Sequence, residues 1–220
     1  MNFDILRIAI PEESLSSFLE KNSRYDGRNF EQIREFSFTK NILNFTKYSL
    51  IGSLGLNKVI LVLKIEDIPN YNNNDIQFNF ILDNFEFSKQ ENNYSLNNYI
   101  NQILKDNIKP INVRGKNRLY TLYITIESID GNIYDTIGLS IQKFFETGNE
   151  FNIVLIKDYS TRTVCFIDDK ILMDPSQNEL DLSTFTFNVI KFSDNKYYIN
   201  KIKGNFQKWN LIKNIIENSK

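Results

Sequence analysis

Histidine is missing altogether from this 220-residue chain, and cysteine occurs once. The first absence removes imidazole acid–base chemistry, Ser-His-Asp and Cys-His nucleophiles, and most zinc sites. The single thiol, Cys165, lies in the apolar run RTVCFI and reads as a core residue in a reducing compartment, not as a nucleophile. A chain of this length buries roughly 70% of its unfolded surface, so it needs no disulfides to fold. No stretch of about 18 apolar residues occurs, and the N-terminus is too acidic and too poor in apolar length for a secretory signal. The expectation is a soluble, intracellular protein with no membrane association. Alanine is nearly absent, Ala9 standing alone, whereas asparagine is abundant. The runs YNNND and ENNYSLNN suit loops, because Asn tolerates the left-handed region and makes local turns.

A formal net charge of −1 withholds any whole-chain signature of nucleic-acid binding. The charge is uneven, however. Lys105, Lys109, Arg114, Lys116 and Arg118 crowd a short stretch opposed by Asp106 alone, and lysines dominate again over 191–213. Local patches of this kind hold phosphate where a whole chain would not, although each run also reads as ordinary solvated surface. Lys105, Lys109, Arg114 and Lys116 are the candidate RNA-backbone contacts, since such contacts need charge more than geometry.

Hydrophobic periodicity supplies the architecture. Pro11, followed by Glu12 and Glu13, opens a helix whose stripe is Leu15, Phe18 and Leu19. Alternation in EFSFTKN, YSLIGSLG, NKVILVLKIEDI and DIQFNFILDNFEF predicts four strands, with a turn at Gly55-Leu56-Asn57. Residues 59–65 are apolar on both faces, which predicts a central strand. The period then changes: Ser95 is a good N-cap, and Leu96, Tyr99, Ile100, Ile103 and Leu104 recur at helical spacing to about Asn107. RLYTLYITIESID predicts a long strand ending at Asp130-Gly131, and Ile133, Ile137, Ile141, Phe144 and Phe145 predict a second helix. Strands return at EFNIVLIK, in a hairpin through Asp168-Asp169, and in a hairpin through Ser193-Asp194-Asn195. Phe206, Trp209, Ile212, Ile215 and Ile216 predict a closing amphipathic helix. The order is not a strict βαβα alternation, so the expected class is α+β, with mixed or antiparallel sheets and helices between or beside them. Residues 1–220 read as one domain: 1–33 a helix and an arginine-rich turn, 34–203 the core, 204–220 the last helix.

That turn, SRYDGRNFEQIR, sets Arg24, Arg28 and Arg34 around Asp26-Gly27. Asp26 can accept hydrogen bonds at the turn, and Gly27 supplies a positive φ where a side chain would clash. The arginines then have carboxylates and carbonyls to clamp, locking the junction between the first helix and the first strand; contact with RNA is the other reading. The stretch resembles the RxDGR…R entry of the RNase PH family in the form found in eukaryotic exosome ring subunits. ESIDGNIYDTIGLSI is similar to the family's strand-to-helix segment, with Asp130, Gly131 and Asp135 in place. FIDDKILMDPSQNE resembles the hairpin leading into Asp-Pro and an acidic residue, here Asp174, Pro175 and Glu179. Among the ring subunits the opening motif looks most like the ribosomal-RNA-processing protein 45 type, with the 42 and 43 types next.

The resemblance implies an RNase PH-like fold and a place in a six-membered ring whose channel admits single-stranded RNA. It implies partners: related ring subunits, a cap subunit with RNA-binding domains, and a catalytic nuclease. It implies 3′-to-5′ RNA processing and degradation in the nucleus, including the nucleolus, and the cytoplasm. Active members hold phosphate in a Gly-, Ser/Thr- and Arg-rich cradle, because the attacking phosphate and the RNA phosphate repel each other. No such cradle precedes the second helix, and FETGNEF offers one glycine and two acids. The family's second acid would fall on Leu180, with Asp181 one position off. Arginines that line the RNA path in related subunits become Asn98, Gln102 and Lys105. The expectation is a non-catalytic subunit with no cofactor and no metal; a phosphorolytic exoribonuclease and a stand-alone RNA-binding module are the alternatives. IGSLG, lying between strands, is not a dinucleotide fingerprint.

Overall fold

The computed structural model describes residues 17–46, 48–67, 77–84, 90–105, 107–110, 118–146 and 153–204. Most of the predicted first helix and all of the predicted last one lie outside these residues; 17–20 are helical. The strands are β1 (Phe36–Lys40), β2 (Ser49–Leu54), β3 (Asn57–Asp67), β4 (Gln77–Asn84), β5 (Ile108–Pro110), β6 (Arg118–Ser128), β7 (Ile153–Leu155), β8 (Tyr159–Ile167), β9 (Lys170–Met173), β10 (Phe185–Phe192) and β11 (Tyr197–Lys203). The helices are α1 (Gln90–Leu104), α2 (Ile133–Glu146) and α3 (Gln177–Leu182).

A five-stranded sheet runs β1-β2-β3-β6-β4, a four-stranded sheet runs β11-β10-β8-β9, and β5 pairs with β7. All pairings are antiparallel except β4 with β6, so the first sheet is mixed. β3 lies between β2 and β6, as its two apolar faces predict. Val59, Leu61 and Leu63 point inward and meet Leu122, Ile124 and Ile126 of β6, all buried. Each such side chain, fully buried, stabilises the fold by about 1.5–3 kcal/mol.

α2 fills the space between the sheets, touching β2 and β3 on one side and β8 on the other. Ile133, Ile137, Ile141, Phe144 and Phe145 are all buried, the stripe read from the sequence. α1 packs on α2 through Tyr99, whose ring meets Tyr134 edge-on at 5.1 Å and whose hydroxyl donates to the Tyr134 carbonyl at 2.7 Å. Among the described residues no helix is long and apolar enough to cross a membrane.

Three local expectations change. α1 begins at Gln90, so Ser95 is not its N-cap; its hydroxyl instead accepts from the Tyr134 hydroxyl at 2.9 Å, a tertiary bond that suits a serine within the helix. Gly27 has φ +82, as the turn requires, but a Cβ there would meet nothing within 4 Å; the glycine answers backbone conformation and not crowding. α3 was not expected. Its start is marked by Ser176-x-x-Glu179, with the Ser176 N–H donating to the Glu179 carboxylate at 2.8 Å.

Candidate functional site

The arginine turn and the Asp174 segment, far apart in sequence, form one polar centre. The turn is built locally: the Arg28 N–H donates to Asp26 Oδ1 at 3.1 Å, and Arg28 Nε to Asp26 Oδ2 at 2.7 Å. From it Arg24 reaches across the molecule. Its Nε donates to Glu179 Oε1 at 2.8 Å and its Nη2 to Oε2 at 2.5 Å, a bidentate pair with both side chains almost fully buried. The same guanidinium donates to the carbonyls of Met173 (2.9 Å) and Asp174 (3.0 Å).

Asp174 is held from two sides. Arg34 clamps it bidentately, Nε on Oδ2 at 2.9 Å and Nη2 on Oδ1 at 2.7 Å, and the Arg34 N–H adds a bond to Oδ2 at 2.8 Å. Arg28 Nη1 contributes a further contact to Oδ2 at 3.0 Å. Burial opposes the charge on this carboxyl, yet the Arg34 hydrogen bonds and the charges of Arg34 and Arg28 outweigh it and leave the acid stronger than an ordinary Asp. Asp174 also has φ +49, a left-handed conformation that an Asp tolerates. A carboxylate with both oxygens bound by guanidinium groups and a lowered pKa is no proton donor at neutral pH.

The Asp130-Gly131 turn abuts the same segment. Arg34 Nη1 donates to the Asp130 carbonyl at 3.0 Å. Gly131 has φ +90, and a Cβ there would strike the Pro175 carbonyl and come within 2.7 Å of Gln177 N. Here crowding as well as conformation demands glycine.

Asp135 lies deeper, at the start of α2, and among the described residues no cation is bonded to it. It accepts from the Thr163 N–H (2.8 Å), the Thr161 hydroxyl (3.0 Å) and Asn188 Nδ2 (2.9 Å), and from Asn132 Nδ2. Burial, aided by the charge of Asp174, pushes its carboxyl up to about 6 despite these bonds. Asn188 and Asn132 escaped the sequence reading, although an Asn at an inward position of the alternating FTFNVIKF is a visible sign of a buried polar network.

The structure gathers Arg24, Asp26, Arg28, Arg34, Asp130, Gly131, Asp174 and Pro175 into this centre, with Asp135 beneath it. Leu180 is half-buried against Leu19, Cys165 and Leu172, while Asp181 is exposed and accepts from Gln177 Nε2 at 2.8 Å. Burial pushes the Cys165 thiol well up, which makes it inert. Lys105 is exposed at the end of α1, the backbone of Lys109 lies in β5, and Arg114 and Lys116 fall outside the described residues. Lys105, Asn98 and Gln102 instead line an open cleft of about 530 Å³ between α1 and β11.

No family model matches the chain. It is similar to the exosome complex component rrp43 of Schizosaccharomyces pombe (strain 972 / ATCC 24843), 24% identical over a 250-residue alignment covering 97% of this chain and 92% of that protein. Among solved structures it is similar to an archaeal exosome core, with a TM-score of 0.75, 20% identity and coverage of 99% of this chain and 94% of that one. It is also similar to rice (Oryza sativa) Rrp46, with a TM-score of 0.65, 16% identity and coverage of 88% and 93%. The fold is therefore the α+β, RNase PH-like fold of exosome core subunits.

Proposed function

We propose that this chain is a non-catalytic subunit of an RNA exosome core ring, supporting 3′-to-5′ RNA processing and degradation by forming part of the channel wall. The observation that carries the reading is the state of Asp174: Arg28 and Arg34 occupy both of its oxygens, so the acid of the Asp-Pro segment joins the turn to the sheet. Similarity along nearly the whole length to rrp43 supports the ring role. It also favours the 43 type over the 45 type suggested by the opening motif, because an alignment of the whole chain outweighs one short stretch. The partners are the other RNase PH-like ring subunits, a cap subunit with RNA-binding domains, a catalytic nuclease and single-stranded RNA. The compartments are nucleus, nucleolus and cytoplasm. Lys105, with Lys109, Arg114 and Lys116, supplies backbone electrostatics along the RNA path.

Incubating the assembled complex with RNA and inorganic phosphate tests this reading. No nucleoside diphosphate traceable to this subunit is expected. Diphosphate release that disappears on Asp181→Asn would establish phosphorolysis here and overturn the proposal. Asp181 is the right position to change, because it is exposed and its loss spares the fold.

A further inference from the structure

A chain of oxygen atoms links Asp135 to α1 through the core. Thr161 Oγ1 lies 3.0 Å from Asp135 Oδ1, Tyr99 Oη lies 3.0 Å from Thr161 Oγ1, and the Tyr134 carbonyl lies 2.7 Å from Tyr99 Oη. All four residues are buried. At such distances each contact needs a proton between its two oxygens. A carbonyl only accepts, so the phenol proton of Tyr99 goes to Tyr134, and burial keeps it there by holding the phenol well above its usual range. The contact between Tyr99 and Thr161 then takes the Thr161 proton. The contact between Thr161 and Asp135 is filled only if the carboxyl brings a proton of its own. An ionised Asp135 leaves the chain one proton short.

The other bonds of Asp135 accommodate that proton. Oδ2 still accepts from the Thr163 N–H at 2.8 Å and from Asn132 Nδ2, and Oδ1 keeps a lone pair for Asn188 Nδ2 at 2.9 Å. Turning the Asn188 amide over would offer the proton another acceptor, but would take a donor from Asp135, Thr161 and Thr163 together. The surrounding charges favour the neutral form. Asp174 opposes ionisation of Asp135, although Arg28 and Arg34 meet its own charge. Tyr159 of β8 is turned to the Gly138 carbonyl and the Tyr134 hydroxyl to Ser95. Strand alternation sets Arg162 and Lys191 on the far side of β8 and β10 from Thr161, Thr163 and Asn188. Neither β2 nor β7 has an ionisable side chain, and Lys40 of β1 and Lys58, Lys64, Glu66 and Asp67 of β3 are exposed.

We propose that Asp135 is the proton gate of a buried latch: taking up a proton completes the chain through Thr161 and Tyr99 and holds α1 against α2 and β8, and losing it loosens α1. Burial sets the carboxyl to titrate at about 6, so modest acidification engages the latch. The latch needs only the fold and stands or falls apart from the ring role.

The test uses the full chain in whatever assembly it is recovered from cells. Infrared difference spectra between about pH 4 and 8 follow the protonated-carboxyl band that Asp135→Asn removes. Hydrogen exchange of the α1 amides, corrected for the intrinsic pH dependence of exchange, follows the latch. In the parent, α1 protection should fall about two- to ten-fold as the carboxyl ionises, the range of one net hydrogen bond. Tyr99→Phe removes two contacts but only one proton, so Thr161 alone can fill the contact that remains. The carboxyl midpoint is then expected to drop by about 0.5–1 pH unit. A merely structural tyrosine predicts the opposite sign, because deleting a buried hydroxyl makes the surroundings more apolar and pushes a carboxyl up. Thr161→Val cuts the chain and should make α1 protection independent of pH. Should Asp135→Asn fail to fold, the Tyr99 and Thr161 variants decide. A midpoint raised or unmoved by Tyr99→Phe overturns the proposal, as does α1 protection in the parent that ignores pH.

Discussion

Replacing Asp174 with alanine removes the carboxylate on which Arg28 and Arg34 converge, and the structure fixes what is lost. Three contacts from Arg34 and one from Arg28 disappear. Both guanidinium groups stay at the site, with side chains only 12% and 9% exposed. Removing one partner of a buried ion pair costs about 3–5 kcal/mol, because the remaining charge is left uncompensated. Arg28 keeps Asp26 at 2.7 Å and Arg34 keeps the Asp130 carbonyl at 3.0 Å, so the loss stays within that range. The left-handed backbone at position 174 adds about 1–2 kcal/mol for alanine. In thermal unfolding of the full chain the two losses together, about 4–7 kcal/mol, lower Tm by about 8–28 °C. Asp174→Asn, which keeps one acceptor and tolerates the conformation, is expected to cost less than alanine. An alanine variant within about 1 kcal/mol of the parent would refute the reasoning, since a buried carboxylate so placed cannot be idle.

Asp135 yields a pH dependence of opposite sign to that of Asp174. Its carboxyl titrates at about 6 in the fold against 3.8 in the open chain, so between those values the folded form holds a proton that the unfolded form has lost. Its ionisation therefore lowers stability as pH rises through that window, by about 3 kcal/mol in all. Denaturant titrations across it should show this fall in the parent and not in Asp135→Asn. Asp174, with its lowered pKa, contributes stability above the ordinary carboxylate range that is lost as pH falls through its folded value. Gly131→Ala drives a Cβ into the Pro175 carbonyl at φ +90, and its thermal unfolding should show a loss of about 2 kcal/mol or more.

Long periodic elements were legible in the sequence because a single pattern determines each of them. The two apolar faces of β3 placed it inside a sheet, and the stripe from Ile133 to Phe145 became the helix between the sheets. Short elements carry too few residues for a period, so β5 and α3 went unseen; α3 had only the Ser176-x-x-Glu179 spacing to announce it. The arginine turn was legible as a motif, but its partners were not. Arg24 meets Glu179 across 155 residues and Arg34 meets Asp174 across 140, separations set by tertiary packing alone. The cleft was legible on one side only, where Asn98, Gln102 and Lys105 share a helix. Tyr198 and Asn200, on β11, look like ordinary members of an Asn-rich chain until α1 and β11 come together.

On the proposed ring role, this chain keeps its RNase PH-like fold for the surfaces it offers to neighbours. Affinity purification of the tagged full chain under native conditions, with subunit ratios determined by quantitative mass spectrometry, tests it most directly. A ring subunit should bring down a fixed set of related ring subunits at equal stoichiometry and aggregate when it is made alone. Recovery of the chain by itself, as a stable monomer in sedimentation, would contradict it.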